Sequence, residues 1–251
     1  METTWVAVAG AFLVASYVKG TTGMGFPLIA TPMVALLVDI RTTYALLLMP
    51  NILMDALQIA RGELPWALWR RLAPLLAATV VGVFLGTKIL VTVPERAILL
   101  ALAAMILLFL ASSRMRVGLR VPPGWEPWLG PLTGLVGGVL NGVTNVFSPI
   151  ATIYLLALQF QKRDFVKGLA SIFLAAKLSQ LAAIARWGLY TPPILQWSAA
   201  LTVIALAAFW VGLMTQDRVR QETFTRLLRF LLAAMALFFI YRGLFVGTPP
   251  H

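Results

Sequence analysis

Charged and strongly polar residues fall in short clusters along this 251-residue chain, and the stretches between them are almost wholly apolar. Ten such stretches can be marked, over 4–18, 27–38, 43–60, 71–92, 95–112, 127–142, 147–160, 166–186, 193–214 and 223–245. A helix that crosses the hydrocarbon core of a bilayer needs about 20 apolar residues, with a range of roughly 17 to 25. The long stretches meet that length and predict transmembrane helices. Two pairs are shorter. Lys19-Gly20-Thr21-Thr22-Gly23-Met24-Gly25-Phe26-Pro27 separates the first pair, and Asn141-Gly142-Val143-Thr144-Asn145-Val146-Phe147-Ser148-Pro149 lies between the second. Gly- and Pro-rich breaks at membrane depth are tolerated only where the backbone is buried in protein or lines a cavity. The two breaks are therefore the first places to look for a site. Trp66, Trp69, Trp125, Trp128, Trp187, Tyr190 and Trp197 fall near segment ends, where interfacial aromatic belts form.

The pattern occurs twice. A shift of 122 residues lays Gly20 on Gly142, Thr22 on Thr144, Pro27 on Pro149, Arg41 on Arg163 and Gln58 on Gln180. Each half runs as a short stretch, a break, a short stretch and three long stretches. The expected architecture is an all-α polytopic membrane protein of two repeats, 1–112 and 127–251, joined by a cytoplasmic linker over 113–126. Each repeat holds a broken or re-entrant helix pair plus three transmembrane helices.

Composition supports the membrane assignment and removes other classes. Hydrophobic residues make up 60% of the chain and charged residues 12%, about half the charged fraction of a soluble domain. The absence of Cys excludes disulfides and thiolate chemistry, and the one His, the terminal His251, leaves no His-based triad or multi-His metal site. The N-terminus has Glu2 in place of a basic n-region and reads as the start of the first membrane segment, not a signal peptide. The net charge of +11 would point to nucleic acid in a soluble protein. Here the basic residues sit in short loops between apolar stretches, so they report orientation.

If each short pair enters and leaves on one side, that side receives twelve basic residues: Arg61, Arg70, Arg71, Arg114, Arg116, Arg120, Lys162, Arg163, Lys167, Arg218, Arg220 and Arg226. The other side receives five, Arg41, Lys88, Arg96, Arg186 and Arg242. Treating each pair as one broken span gives eight against nine, which is no bias. The positive-inside rule selects the first arrangement. Each half then crosses an odd number of times, the repeats are inverted relative to each other, and both termini face away from the cytoplasm. Inverted repeats with interrupted helices at matching positions are the signature of secondary transporters, whose site lies near the midplane.

The breaks carry the candidate chemistry. A helix N-terminus presents unpaired N–H groups and about half a positive charge, which makes it an anion site. Half-helices starting at Phe26-Pro27-Leu28 and Ser148-Pro149-Ile150 would aim two such ends at one point. Gly20, Gly23 and Gly25 allow close backbone approach, and Thr21, Thr22, Asn141, Thr144, Asn145 and Ser148 supply short polar groups. The alternative is that the glycines serve helix packing and the hydroxyls only cap helices.

Three charges are intramembrane: Lys19 ends a helix at the first break, Asp55 sits deep in 43–60 and Lys177 lies midway along 166–186. Such residues cost about 2.5–3.5 kcal/mol at a helix centre and face a partner or a cavity. The shift of 122 makes Asp55 and Lys177 equivalent. They are expected either as a structural ion pair or as a working pair, with Lys19 or Lys177 binding an anion and Asp55 carrying a proton. Asn51 and Gln58 share the Asp55 face, and Gln180 shares that of Lys177.

The stretch Gly20-Thr21-Thr22-Gly23-Met24-Gly25-Phe26-Pro27, the segment Gly137-Gly138-Val139-Leu140-Asn141-Gly142-Val143-Thr144-Asn145 and the two-half layout resemble the sulfite exporter TauE/SafE family of membrane permeases. The resemblance implies transport of sulfur-containing anions such as sulfite, sulfoacetate or other organosulfonates, by alternating access in the cell membrane. The second break departs from the family's Gly-rich pattern at Asn145-Val146-Phe147-Ser148. No cofactor or metal is expected; the partners are a small anion and the bilayer, and a homo-oligomer stays open. The rival functions are an anion channel and an integral-membrane lipid-modifying enzyme. The enzyme would call for paired carboxylates or a His, whereas Asp55 alone of nine acidic residues lies deep in a membrane stretch.

Overall fold

The computed structural model describes residues 2–61, 63–112, 120–188, 190–215 and 221–245. The first half of the expected linker, with Arg114 and Arg116, lies outside the described residues, as do Arg218, Arg220, His251 and the side chains of Lys162 and Arg226. Among the described residues there are ten α-helices and no strand. They are α1 (Glu2–Thr22), α2 (Phe26–Ala35), α3 (Ile40–Ala60), α4 (Trp66–Thr92), α5 (Glu95–Ser112), α6 (Glu126–Thr144), α7 (Ser148–Ala157), α8 (Lys162–Arg186), α9 (Pro192–Thr215) and α10 (Gln221–Phe245). A single 3-10 turn, Pro123–Trp125, leads into α6.

Each expected stretch corresponds to one helix, and the boundaries differ near charged residues. Helix α4 begins at Trp66 and takes Arg70 and Arg71 into its first turns, and α8 likewise includes Arg163 and Lys167. A basic residue near a helix end snorkels to the interface without breaking the backbone ladder. The breaks shrink for a related reason. Helix α1 runs on through Lys19 and Gly20 to Thr22, and α6 through Asn141 to Thr144. Only Gly23–Gly25 and Asn145–Phe147 interrupt the helices. Lys19 therefore sits inside α1 and does not end it.

Helices α3, α4, α9 and residues 163–186 of α8 are long and apolar enough to cross a bilayer. Burial separates them into two kinds: 67% of the hydrophobic window is buried in α3 and in α8, against 39% in α4 and 33% in α9. The two central helices, α3 and α8, pack on each other. Around them α1 packs against α9, α4 against α6 and α5 against α10. Two of these pairs join one half of the chain to the other through glycines at backbone contact. A Cβ on Gly20 would lie 2.3 Å from the Phe209 carbonyl of α9, and one on Gly142 would lie 2.7 Å from the Gly86 backbone of α4. Close approach of this kind is how membrane helices associate without a hydrophobic driving force.

Polar contacts mark two groups of loops. In one, Lys167 donates to the Glu63 carbonyl, Arg71 pairs bidentately with Glu126 at 2.6 and 2.8 Å, and the Val121 N–H caps the Ala157 carbonyl at 3.0 Å. In the other, Arg41 donates to the Val93 carbonyl at 3.1 Å, and Arg242 lies 3.9 Å from Glu95 and 3.4 Å from the Ala35 carbonyl. The C-terminus of α7 is thus held in the first group and that of α2 in the second.

Candidate functional site

The first break opens when Gly23 takes φ 82° and Gly25 takes φ 98°. Both values lie in the left-handed region, which glycine enters freely. The second break opens at Asn145 with φ 62°, a conformation that Asn adopts more readily than other side chains. Gly23 and Asn145 are 122 residues apart, so the departure from a Gly-rich pattern leaves the backbone turn in place. The local hydrogen bonds repeat as well. Thr22 Oγ1 donates to the Val18 carbonyl at 2.8 Å and takes the Met24 N–H at 3.3 Å. Thr144 Oγ1 donates to the Leu140 carbonyl at 2.7 Å and takes the Val146 N–H at 3.3 Å.

Two contacts join the breaks to the opposite short helix. Thr152 of α7 lies 3.8 Å from the Met24 sulfur, and the Asn145 amide donates to Thr31 of α2 at 3.0 Å. Each break thus touches the short helix of the other half. Both N-termini are buried and neither is capped by a side chain. Pro27 and Pro149 lie in the first turns, where a missing N–H costs nothing. Ser148, at the start of α7, is 1% exposed and its Oγ makes no hydrogen bond within the chain.

The three intramembrane charges gather beside these ends, in a pairing other than the expected one. Asp55 does not pair with Lys177. Its carboxylate accepts a hydrogen bond from Lys19 of α1, and the same ammonium donates to Asn51 Oδ1 at 2.8 Å. The other carboxylate oxygen, Oδ2, has no partner. The physical reason is the course of α1: by continuing past Lys19 it lays that side chain along the Asn51–Asp55 face of α3. Lys177 meets only neutral oxygens. It donates to Asn141 Oδ1 at 3.1 Å, to Gln180 Oε1 at 2.9 Å and to the side-chain oxygen of Asn145. Lys19, Asp55 and Lys177 are all buried, and Lys177 lies within electrostatic range of both others.

The ammonium groups orient the amides around them. Asn51, Asn141 and Gln180 each turn the oxygen toward a lysine, which leaves the NH2 end free. Those three NH2 groups are buried and without a hydrogen-bond partner. The cluster thus carries two ammonium groups, one carboxylate and a surplus of donors. Its unpartnered buried donors are the amide groups of Asn51, Asn141 and Gln180, with the Ser148 hydroxyl at the start of α7.

The other expected residues have different surroundings. Gly20 faces α9 and serves packing. Thr21 and Thr22 spend their hydroxyl protons on the Val18 carbonyl, and Thr144 spends its own on that of Leu140. Gln58 donates to the Gly23 carbonyl at 2.9 Å and so fastens the first break to α3. Ser16, Thr31 and Tyr44 belong to the same region and were not singled out from the sequence. Ser16 is fully buried, one turn before Lys19, with no partner for its hydroxyl. The Tyr44 hydroxyl donates to the Val143 carbonyl at 2.9 Å, tying α3 to the second break. The spacing of Ser16 from Lys19 was a usable signal; the cross-contacts of Thr31 and Tyr44 had none.

A family model described as sulfite exporter TauE/SafE matches residues 8–239. The chain belongs to the sulfite exporter TauE/SafE family. No curated protein and no solved structure matches it significantly. Membership, with the long apolar helices, makes it a multi-pass membrane protein of the sulfur-anion exporter type.

Proposed function

We propose that the chain moves a small sulfur oxyanion, sulfite or an organosulfonate such as sulfoacetate, across the cell membrane by alternating access between two inverted repeats. The anion is held where the first turns of α2 and α7 meet Lys177, Asn141, Gln180 and Ser148. The observation that carries this proposal is the pair of buried, uncapped helix N-termini beside an ammonium group with no carboxylate of its own. Gly23 and Gly25 shape the first break, and Lys19 of α1 with Asn51, Asp55 and Gln58 of α3 supports the site from the side. Recurrence of the same threonine hydrogen bonds 122 residues apart supports the repeat. A carrier is favoured over a channel because Lys19 and Lys177 are 0% and 2% exposed, whereas an open pore would leave its selectivity charges wet.

Counterflow in proteoliposomes tests the activity. Vesicles loaded with unlabelled sulfite or sulfoacetate should accumulate the labelled anion transiently; a channel gives no such overshoot, and product formation from lipid would reveal an enzyme. Orientation follows the basic-residue bias, with both termini outside. The chain has no native Cys, so Thr191→Cys should label from outside intact cells and Ser113→Cys should not. The reverse pattern would overturn the topology.

A further inference from the structure

The three buried charges can be counted one against another. Lys19 is matched by Asp55. Lys177 is surrounded by the oxygens of Asn141, Asn145 and Gln180, all neutral. The cluster therefore carries one unmatched positive charge. An unmatched charge in a low-dielectric interior is costly in either sign, so the ligand that stabilises this site most brings one negative charge and no more. A doubly charged ligand would reverse the imbalance, and one added proton would cancel it.

Asp55 is the group placed to take that proton. Its Oδ2 is buried and accepts no hydrogen bond. The charged groups that face it are Lys19 of α1 and Lys177 of α8. Helices α2 and α9 contain no titratable residue, and those of α5 are confined to Glu95 and Arg96 in its first turn. On α3 itself, Tyr44 is occupied with the Val143 carbonyl. Lys19 and Lys177 each donate to side-chain oxygens, as ammonium groups do, and amides take no proton near neutral pH.

Resting on the anion-carrier proposal, we infer that the site is matched to a monoanion. It takes singly charged sulfonates as they are, and a dianion only together with one proton, which passes from solvent to the Asp55 carboxylate. A dianionic substrate is then moved with a proton and a monoanionic one without.

Isothermal titration of the purified full chain with methanesulfonate and with sulfoacetate separates the two modes. Sulfonates keep their charge across the range, which sulfite does not. Each titration is run in two buffers of different ionisation enthalpy, which counts protons taken up. Methanesulfonate should bind with no proton uptake and a Kd that is flat over roughly pH 6 to 8. Sulfoacetate should take up close to one proton and lose about tenfold in affinity for each pH unit of increase, the slope of a one-proton linkage. In Asp55→Asn, sulfoacetate should bind with no proton uptake and no pH slope. The buffer comparison on the unaltered chain tests the monoanion match even if that variant fails to fold, and the variant assigns the proton to Asp55 and not to the carboxylate of sulfoacetate. Sulfoacetate binding without proton uptake would overturn the monoanion match and leave the anion carrier standing. Failure of every sulfonate and of sulfite to bind would overturn both.

Discussion

The two helix breaks solve one backbone problem with different chemistry. The first turns on Gly23 and Gly25, two residues without a side chain, and its wall is a lysine neutralised by a carboxylate across the Lys19–Asp55 contact. The second turns on Asn145, whose side chain reaches Lys177 and Thr31. Where the first break has Gly25, the second has Phe147, packed against Gly137 of α6. Along the repeat, Lys19 corresponds to Asn141 and Asp55 to Lys177, so the cation has moved from the interrupted helix to the continuous one and lost its carboxylate. The two breaks keep matching turns and threonine bonds. The charge, which the framework does not need, differs between the halves. The first half supplies a neutral support and the second an uncompensated cation.

The sharpest way to break this comparison is to remove the two lysines separately. Lys19→Met leaves Asp55 buried and unpaired, a loss of about 3–5 kcal/mol, read as a large fall in thermal stability in detergent. Adding Asp55→Asn to it should restore much of that stability. Lys177→Met removes a charge with no ionic partner; its main effect should be on anion affinity, with the melting temperature lowered less than in Lys19→Met. Equal loss of stability from both single variants, with sulfonate binding intact in Lys177→Met, would show that the halves do not divide the work in this way.

A smaller effect tests the steric side. In Gly137→Ala the new Cβ would lie 1.9 Å from the Phe147 ring, and overpacking of this kind costs about 1–3 kcal/mol. Phe147→Leu in the same chain should relieve it. In Gly25→Ala the nearest atom to the Cβ is 3.9 Å away, so the cost comes from the left-handed backbone alone, roughly 1–2 kcal/mol. Phe147→Leu should leave that cost unchanged. Rescue of both alanine variants, or of neither, would erase the steric distinction between the breaks.

Much of the site was legible because each polar group it uses interrupts an apolar stretch. Asn51, Asp55, Gln58, Lys177 and Gln180 stood out by helical spacing, and Pro27 and Pro149 marked the first turns of α2 and α7. The partner of Asp55 was not legible. The shift of 122 residues pointed to Lys177, because it measures equivalence in the repeat and carries no information on distance. Gly20 is expected in the ligand cradle from the sequence, and it instead carries the contact of α1 with α9, as Gly142 carries that of α6 with α4.

Sequence alone determined that the chain is a multi-pass helical membrane protein with two matching interrupted segments. Bilayer thickness fixes the length of an apolar stretch, and a buried backbone must satisfy its own hydrogen bonds, so both constraints act locally and leave a trace in composition and order. Which charge meets which was decided by the tertiary structure. Helix α1 continues past Lys19, α1 and α6 pack on helices of the opposite half, and α3 and α8 are thereby enclosed at the centre. An ion pair between residues 36 positions apart depends on the direction and rotation of two helices, and those are set by which glycine faces admit close packing.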